Sequence, residues 1–99
     1  MRVIARSTLQ KFWKNSLHAD SEGALKAWYA EAKKAQWESP SEIKEKYKTA
    51  SVLKGGRVVF NIAGNKYRLV VHIHYEAKII YIRFVGTHKE YDAVDAETV

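Results

Sequence analysis

The hydrophobic period of this chain changes once, at Gly55-Gly56, from about 3.6 residues to 2. Everything before that point reads as helix and everything after it, until the last dozen residues, as strand. Helices first and sheet second is the pattern of an α+β domain, with the helices packed on one face of a small, mainly antiparallel sheet. Ninety-nine residues are one domain's worth of chain, so residues 1–99 are read as a single domain.

In the first half, Val3-Ile4-Ala5 suits a short strand or arm. Ser7 and Gln10 have capping-box spacing, and Leu9, Phe12, Trp13 and Leu17 recur at helical intervals, which predicts a helix over 8–18. Asp20 and Glu22 open a second helix with Leu25, Trp28, Tyr29, Ala32 and Ala35 on its apolar face. Ser39-Pro40-Ser41-Glu42 starts a third, with Ser39 as cap, Pro40 at the first helical position and Glu42 completing a box. Ile43 and Tyr47 are its expected buried contacts. Trp13, Trp28 and Trp37 read as packing residues.

Three strands are expected after the switch, over 57–62, 66–75 and 78–85, joined by two short hairpin loops. One face of the three strands is apolar: Val58, Phe60 and Ile62; Tyr67, Leu69, Val71 and Ile73; Ile80, Ile82 and Phe84. The other carries Arg57 and Asn61, then Arg68, His72 and His74, then Tyr81 and Arg83, and is expected to be wet, basic and dotted with aromatics. Thr87-His88-Lys89-Glu90 repeats the capping-box pattern and predicts a short final helix, with residues from Asp95 onward frayed.

Charge narrows the function. The net charge is +6, and residues 51–89 hold seven bases against the single acid Glu76. Such a local excess attracts phosphates, which makes nucleic acid the leading partner against the alternative of an ordinary lysine-rich surface. No apolar run approaches the ~18–20 residues of a membrane span, and there is no cysteine. A cytoplasmic protein with no membrane partner is expected. No Gly-rich phosphate loop is present, because Gly55-Gly56 lacks the lysine and following helix.

Arg68 and Arg83 lie mid-strand on one face, and two guanidinium forks projecting together make a phosphate clamp. His88, at the start of the last helix, shares a face with Tyr91 and Asp92 at i+3 and i+4, and an imidazole can take or give a proton near neutral pH. The plainer reading is an idle, exposed histidine beside a cap. His72 and His74 have a spacing used by metal sites, yet no third ligand type is at hand, so neither a metal nor another cofactor is expected. Tyr81 is the base-stacking candidate on the arginine face.

Val58-Val59-Phe60-Asn61-Ile62, Gly64-Asn65-Lys66-Tyr67-Arg68-Leu69-Val70-Val71 and Tyr81-Ile82-Arg83-Phe84-Val85-Gly86-Thr87-His88-Lys89-Glu90-Tyr91-Asp92, in that order and spacing, resemble the HigB family of bacterial toxins within the RelE/ParE superfamily. Ala27-Trp28-Tyr29 and Ser39-Pro40 extend the resemblance over almost the whole chain. It implies a ribosome-dependent endoribonuclease that cuts mRNA without a metal, held in check by a helix-turn-helix antitoxin. Arg68 then matches the central-strand arginine, Arg83 the last-strand arginine, Tyr91 the C-terminal tyrosine and His88 the histidine of T-H-x-E-Y. These four are the expected catalytic residues, with Lys66, Asn61, Arg57, Tyr81 and Lys89 as RNA contacts. Attack by the 2′-OH on its own 3′-phosphate would leave a 2′,3′-cyclic phosphate and a 5′-OH, with proton transfer and cationic stabilisation of the phosphorane supplied by the protein. Two other readings remain: a basic module that grips nucleic acid without chemistry, and a gyrase-directed toxin of the same superfamily.

Overall fold

The computed structural model describes all 99 residues. β1 (Arg2–Ile4) leads into α1 (Arg6–Lys14), a 3₁₀ segment (Ser16–Ser21), α2 (Glu22–Lys34) and α3 (Pro40–Lys46). Then come β2 (Ser51–Val52), β3 (Arg57–Ile62), β4 (Tyr67–His74), β5 (Ile79–Thr87) and α4 (His88–Asp92). The five strands form one sheet in the order β1-β5-β4-β3-β2, antiparallel throughout except where β1 lies parallel to β5. The expected α+β architecture, with its mainly antiparallel sheet and short last helix, is the observed one. No helix is long and apolar enough to cross a membrane.

The principal core lies between the helices and one sheet face. Leu9 and Trp13 of α1, Leu25, Trp28 and Ala32 of α2, and Ile43 of α3 pack on Val58, Phe60, Leu69, Val71 and Ile80. Phe60 is at its centre, with the rings of Trp28, Trp37 and Tyr47 at 5.4, 6.4 and 5.0 Å. Aromatic contacts of this kind add about 0.5–1.5 kcal/mol each beyond area burial. All three tryptophans are core residues, as their spacing indicates.

Local chemistry moves several boundaries. α1 ends four residues early because Asn15 leaves the helical region (φ −70°, ψ 125°) and its side-chain oxygen accepts the Leu17 N–H at 2.9 Å. Leu17, expected inside, is consequently 80% exposed. Ser21 rather than Asp20 holds the cap position of α2, and its hydroxyl donates to the His18 carbonyl at 2.6 Å. At α3, Pro40 takes the first turn as expected, but the box does not form: Ser39 and Ser41 share a hydrogen bond, and Glu42 accepts from the Glu38 N–H at 2.9 Å. Strand β2, absent from the sequence reading, is only two residues long and therefore leaves no periodic signal.

The largest corrections concern the sheet face away from α1–α3. The β4–β5 register shifts between Val70 and Val71: Val70 pairs with Phe84 and Val71 with Ile82, so Arg83 is an extra residue. A bulge of this type reverses side-chain parity beyond it. Phe84 therefore joins the outer face, and Val85, opposite Leu69, packs against the principal core in its stead. Nor is the outer face simply wet. Val59, Val70 and Ala96 form a second, small core, packed by Leu53, Phe84, Tyr91 and Val99. The tail from Asp95 is thus docked rather than frayed, with Ala96 buried and the Val99 main-chain oxygen accepting from Arg57 Nη2 at 2.9 Å.

Candidate active site

Cross-strand partners share a face, so the registers divide the outer face of β3, β4 and β5 into three rows. Arg57, His72 and Tyr81 form the first; Val59, Val70 and Phe84 the second; Asn61, Arg68 and Gly86 the third. Successive rows are two residues apart, which is about 7 Å. The middle row is the small core under the tail. Polar chemistry is therefore confined to the two ends.

At the third row, Arg68 is only 8% exposed and no carboxylate pairs with it. Its guanidinium folds over the β3–β4 hairpin instead. Nη1 donates to the carbonyls of Asn65 (3.0 Å) and Tyr67 (3.3 Å), and Nη2 to Asn65 Oδ1 (2.9 Å). A guanidinium has five N–H donors, and these bonds use three of them. The Nε–H and one Nη2–H take no part in these bonds. Opposite Arg68, the missing side chain of Gly86 leaves room for the Phe84 ring and the Glu90 carboxylate: a Cβ there would stand 2.6 Å from Phe84 Cζ and 3.1 Å from Glu90 Oε1.

β5 runs straight into α4 at this end, and the expected capping box is complete. The Thr87 hydroxyl accepts the Glu90 N–H at 3.1 Å, while Glu90 Oε1 accepts the Thr87 N–H at 2.8 Å. That last bond, chiefly, holds the Glu90 carboxyl below the usual carboxylate range. The box fixes the first turn, which carries His88. Its Nδ1 lies 3.2 Å from Asp92 Oδ2, one turn on, and both side chains are more than half exposed. A carboxylate beside Nδ1 favours the proton on that nitrogen and leaves Nε2 as the basic atom. Tyr91, on the next face of α4, is half-buried against the middle row. Lys89 is exposed.

Lys66 is at the same end but is not free. It pairs with Asp20, which also accepts from the Tyr67 hydroxyl. The Lys66 bond, then the Tyr67 bond, lower the Asp20 carboxyl; the same bonds raise Lys66 and Tyr67. The His18 ring stacks on Phe12 at 4.2 Å and meets the Tyr67 ring edge-on at 5.7 Å. Asn61, across from Arg68, is half-buried.

Arg57, Tyr81 and Arg83 sit at the other end. The Arg83 guanidinium lies over the Tyr81 ring at 5.2 Å, His74 meets that ring edge-on at 5.2 Å, and the His72 and His74 rings are 4.4 Å apart. Burial first, then the charges of Arg57, His74 and Arg83, push the His72 pKa down. Of the four expected catalytic residues, Arg68 and His88 thus lie at one end of the sheet, Tyr91 packs on the apolar middle row, and Arg83 lies beyond that row. No group of three or more His, Asp or Glu side chains is placed to hold a metal ion.

Sequence reading missed Asn65 as the anchor of Arg68, because that bond reaches back across a turn, and Asp20 as the partner of Lys66, because that bond joins residues forty-six apart in the chain. It also missed the apolar divide, although Val59 and Val70 on the supposedly wet face were a readable sign.

Residues 21–94 match the model of the HigB toxin family, described as the RelE-like toxic component of a toxin-antitoxin system. The chain is also similar to the mRNA interferase toxin HigB of Escherichia coli K12 and the mRNA interferase HigB of Shigella flexneri, 53% identical over 34 residues to each. That stretch is 34% of this chain and 33% of each relative, so the match spans about a third of the relatives' length. The family match takes in every element from α2 to α4, including both rows of polar chemistry, and the chain therefore belongs to the HigB family of RelE-like toxins.

Proposed function

We propose that this protein is a metal-independent endoribonuclease that cuts mRNA on the translating ribosome, as the toxin of a toxin–antitoxin pair. The observation that carries the reading is Arg68, a nearly buried arginine with no counter-charge. A buried cation without a partner is costly, and an anion at its remaining N–H donors would offset that cost. A phosphodiester matches a guanidinium in charge and geometry.

The chemistry follows from the groups at this end of the sheet. His88 Nε2, with Nδ1 turned to the Asp92 carboxylate, removes the 2′-OH proton. The 2′-oxygen attacks the adjacent 3′-phosphate, and the Arg68 guanidinium stabilises the extra negative charge of the phosphorane. The 5′-oxygen leaves with a proton from Tyr91 or the His88 imidazolium, giving a 2′,3′-cyclic phosphate and a 5′-OH. General acid–base catalysis contributes typically 10²–10⁴-fold, and alignment of the strand by the ribosome supplies further acceleration. A neutralising helix-turn-helix antitoxin is the expected partner.

The test is to map mRNA 5′-hydroxyl ends in a translating extract, wild type beside His88→Gln and Arg68→Lys. Ribosome-dependent ends that fall at least about 100-fold in His88→Gln support the assignment. Cutting that survives both substitutions would overturn it. Growth arrest without any cutting would instead indicate a target such as gyrase.

A further inference from the structure

We propose that Arg57, His72, His74 and Arg83, at the end of the sheet away from His88, form a second phosphodiester subsite that holds the RNA strand flanking the cut. The inference rests on the nuclease reading and extends it from the scissile bond to the neighbouring strand. His72, His74 and Arg83 have no carboxylate partner in any of the ion pairs, and Arg57 is held only through Nη2, which donates to the Val99 oxygen at 2.9 Å. Arg57 Nε and His72 Nδ1 are buried with no hydrogen-bond partner. Such a network is incomplete as it stands, since buried donors of this kind are normally satisfied.

The cluster is also built rather than loosely gathered. Gly56, with φ +75°, lets its turn press on His72: a Cβ there would come 2.9 Å from the Ile73 carbonyl and 3.0 Å from His72 Cδ2. Arg83 exists on this surface as the extra residue of the β-bulge, and its guanidinium is held over Tyr81. With the Tyr81 ring taken up by Arg83 and His74, the surface offers positive charge rather than a bare stacking platform. Arg57 and Arg83 carry the fixed positive charge here, and a bound phosphate offsets it. The subsite is two rows from Arg68, about 13 Å along the strands, a distance that an extended RNA strand covers in a few nucleotides. Between them the apolar middle row offers nothing to a phosphate, so the strand is gripped at two points.

The experiment measures binding of a fully 2′-O-methylated single-stranded RNA to the full chain by fluorescence anisotropy, from 50 to 300 mM salt. The variants are His74→Gln and Arg83→Gln, both exposed positions that leave the cores intact, with Lys33→Gln on α2 as a charge-matched control. Arg83→Gln is expected to weaken binding about tenfold and His74→Gln by less. Arg83→Gln should also lower the salt slope by about 0.7, one phosphate's worth, while Lys33→Gln changes neither. Equal effects of Arg83→Gln and Lys33→Gln would reduce the cluster to general charge and overturn the proposal. No binding by the wild type, with mRNA cutting intact in the extract, would also overturn it and leave the nuclease reading standing. Arg83-dependent binding without cutting would do the reverse.

Discussion

Gly86→Ala is expected to destabilise this protein for a reason that lies in space and not in backbone strain. Gly86 does not occupy the left-handed region, and what excludes a methyl group is the Phe84 ring, 2.6 Å from the Cβ position at Cζ and 3.1 Å at Cε1. Ordinary carbon–carbon contact is about 3.5–4.0 Å, so the ring must retreat by roughly 1 Å. It cannot do so freely, because it packs against the small core of Val59, Val70 and Ala96. Glu90 Oε1, 3.1 Å from the same position, is also committed, since it accepts the Thr87 N–H. Overpacking of this size costs about 1–3 kcal/mol. In a domain this small each kcal/mol lowers Tm by about 4–8 °C. Thermal and urea unfolding of Gly86→Ala, Phe84→Leu and the double variant form a complete cycle. The double variant should be more stable than the sum of the singles requires, by about 1 kcal/mol, because leucine removes the clashing ring atoms. A Gly86→Ala protein as stable as wild type, or strict additivity in the double, would refute the argument.

Thr87→Ala removes the hydroxyl that accepts the Glu90 N–H and should cost about 1 kcal/mol in urea unfolding, with faster amide exchange in α4. Asp20→Asn removes the carboxylate whose hydrogen bond raises the Tyr67 hydroxyl, so a spectroscopic titration of the tyrosines should show one group moving toward lower pH. His72 has its pKa lowered in the fold from 6.5, so the unfolded chain binds the proton more readily. Its contribution to stability is complete above about pH 6.5 and is lost as pH falls through the lowered folded value. His72→Gln should therefore flatten the decline in stability as pH falls below about 6.5, measured as urea midpoints against pH.

Much of the candidate site was legible because it is written in local patterns. Thr87 and Glu90 are three residues apart, the spacing that a capping box needs, and the box forms. His88 and Asp92 are four apart on one helix, and they meet. Parity placed Arg68 on the outer face correctly because no irregularity intervenes between it and the hairpin. The same rule failed beyond Arg83, since a bulge is defined by the partner strand and leaves no mark in the bulged strand's own period. Lys66 looked free because its partner, Asp20, is forty-six residues away in the chain.

The sequence by itself determined the α+β class, the switch from helices to meander, the tryptophan core and the last helix with its histidine, because propensity, capping and amphipathic period act over a few residues. Tertiary structure alone decided which charges are free, which are paired and where the outer face is dry. Docking of the tail over Val59 and Val70 splits that face into two polar ends, and the β4–β5 bulge assigns Arg83 to the end away from Arg68. Those outcomes depend on contacts between residues distant in the chain, whose geometry is fixed only when the strands find their register.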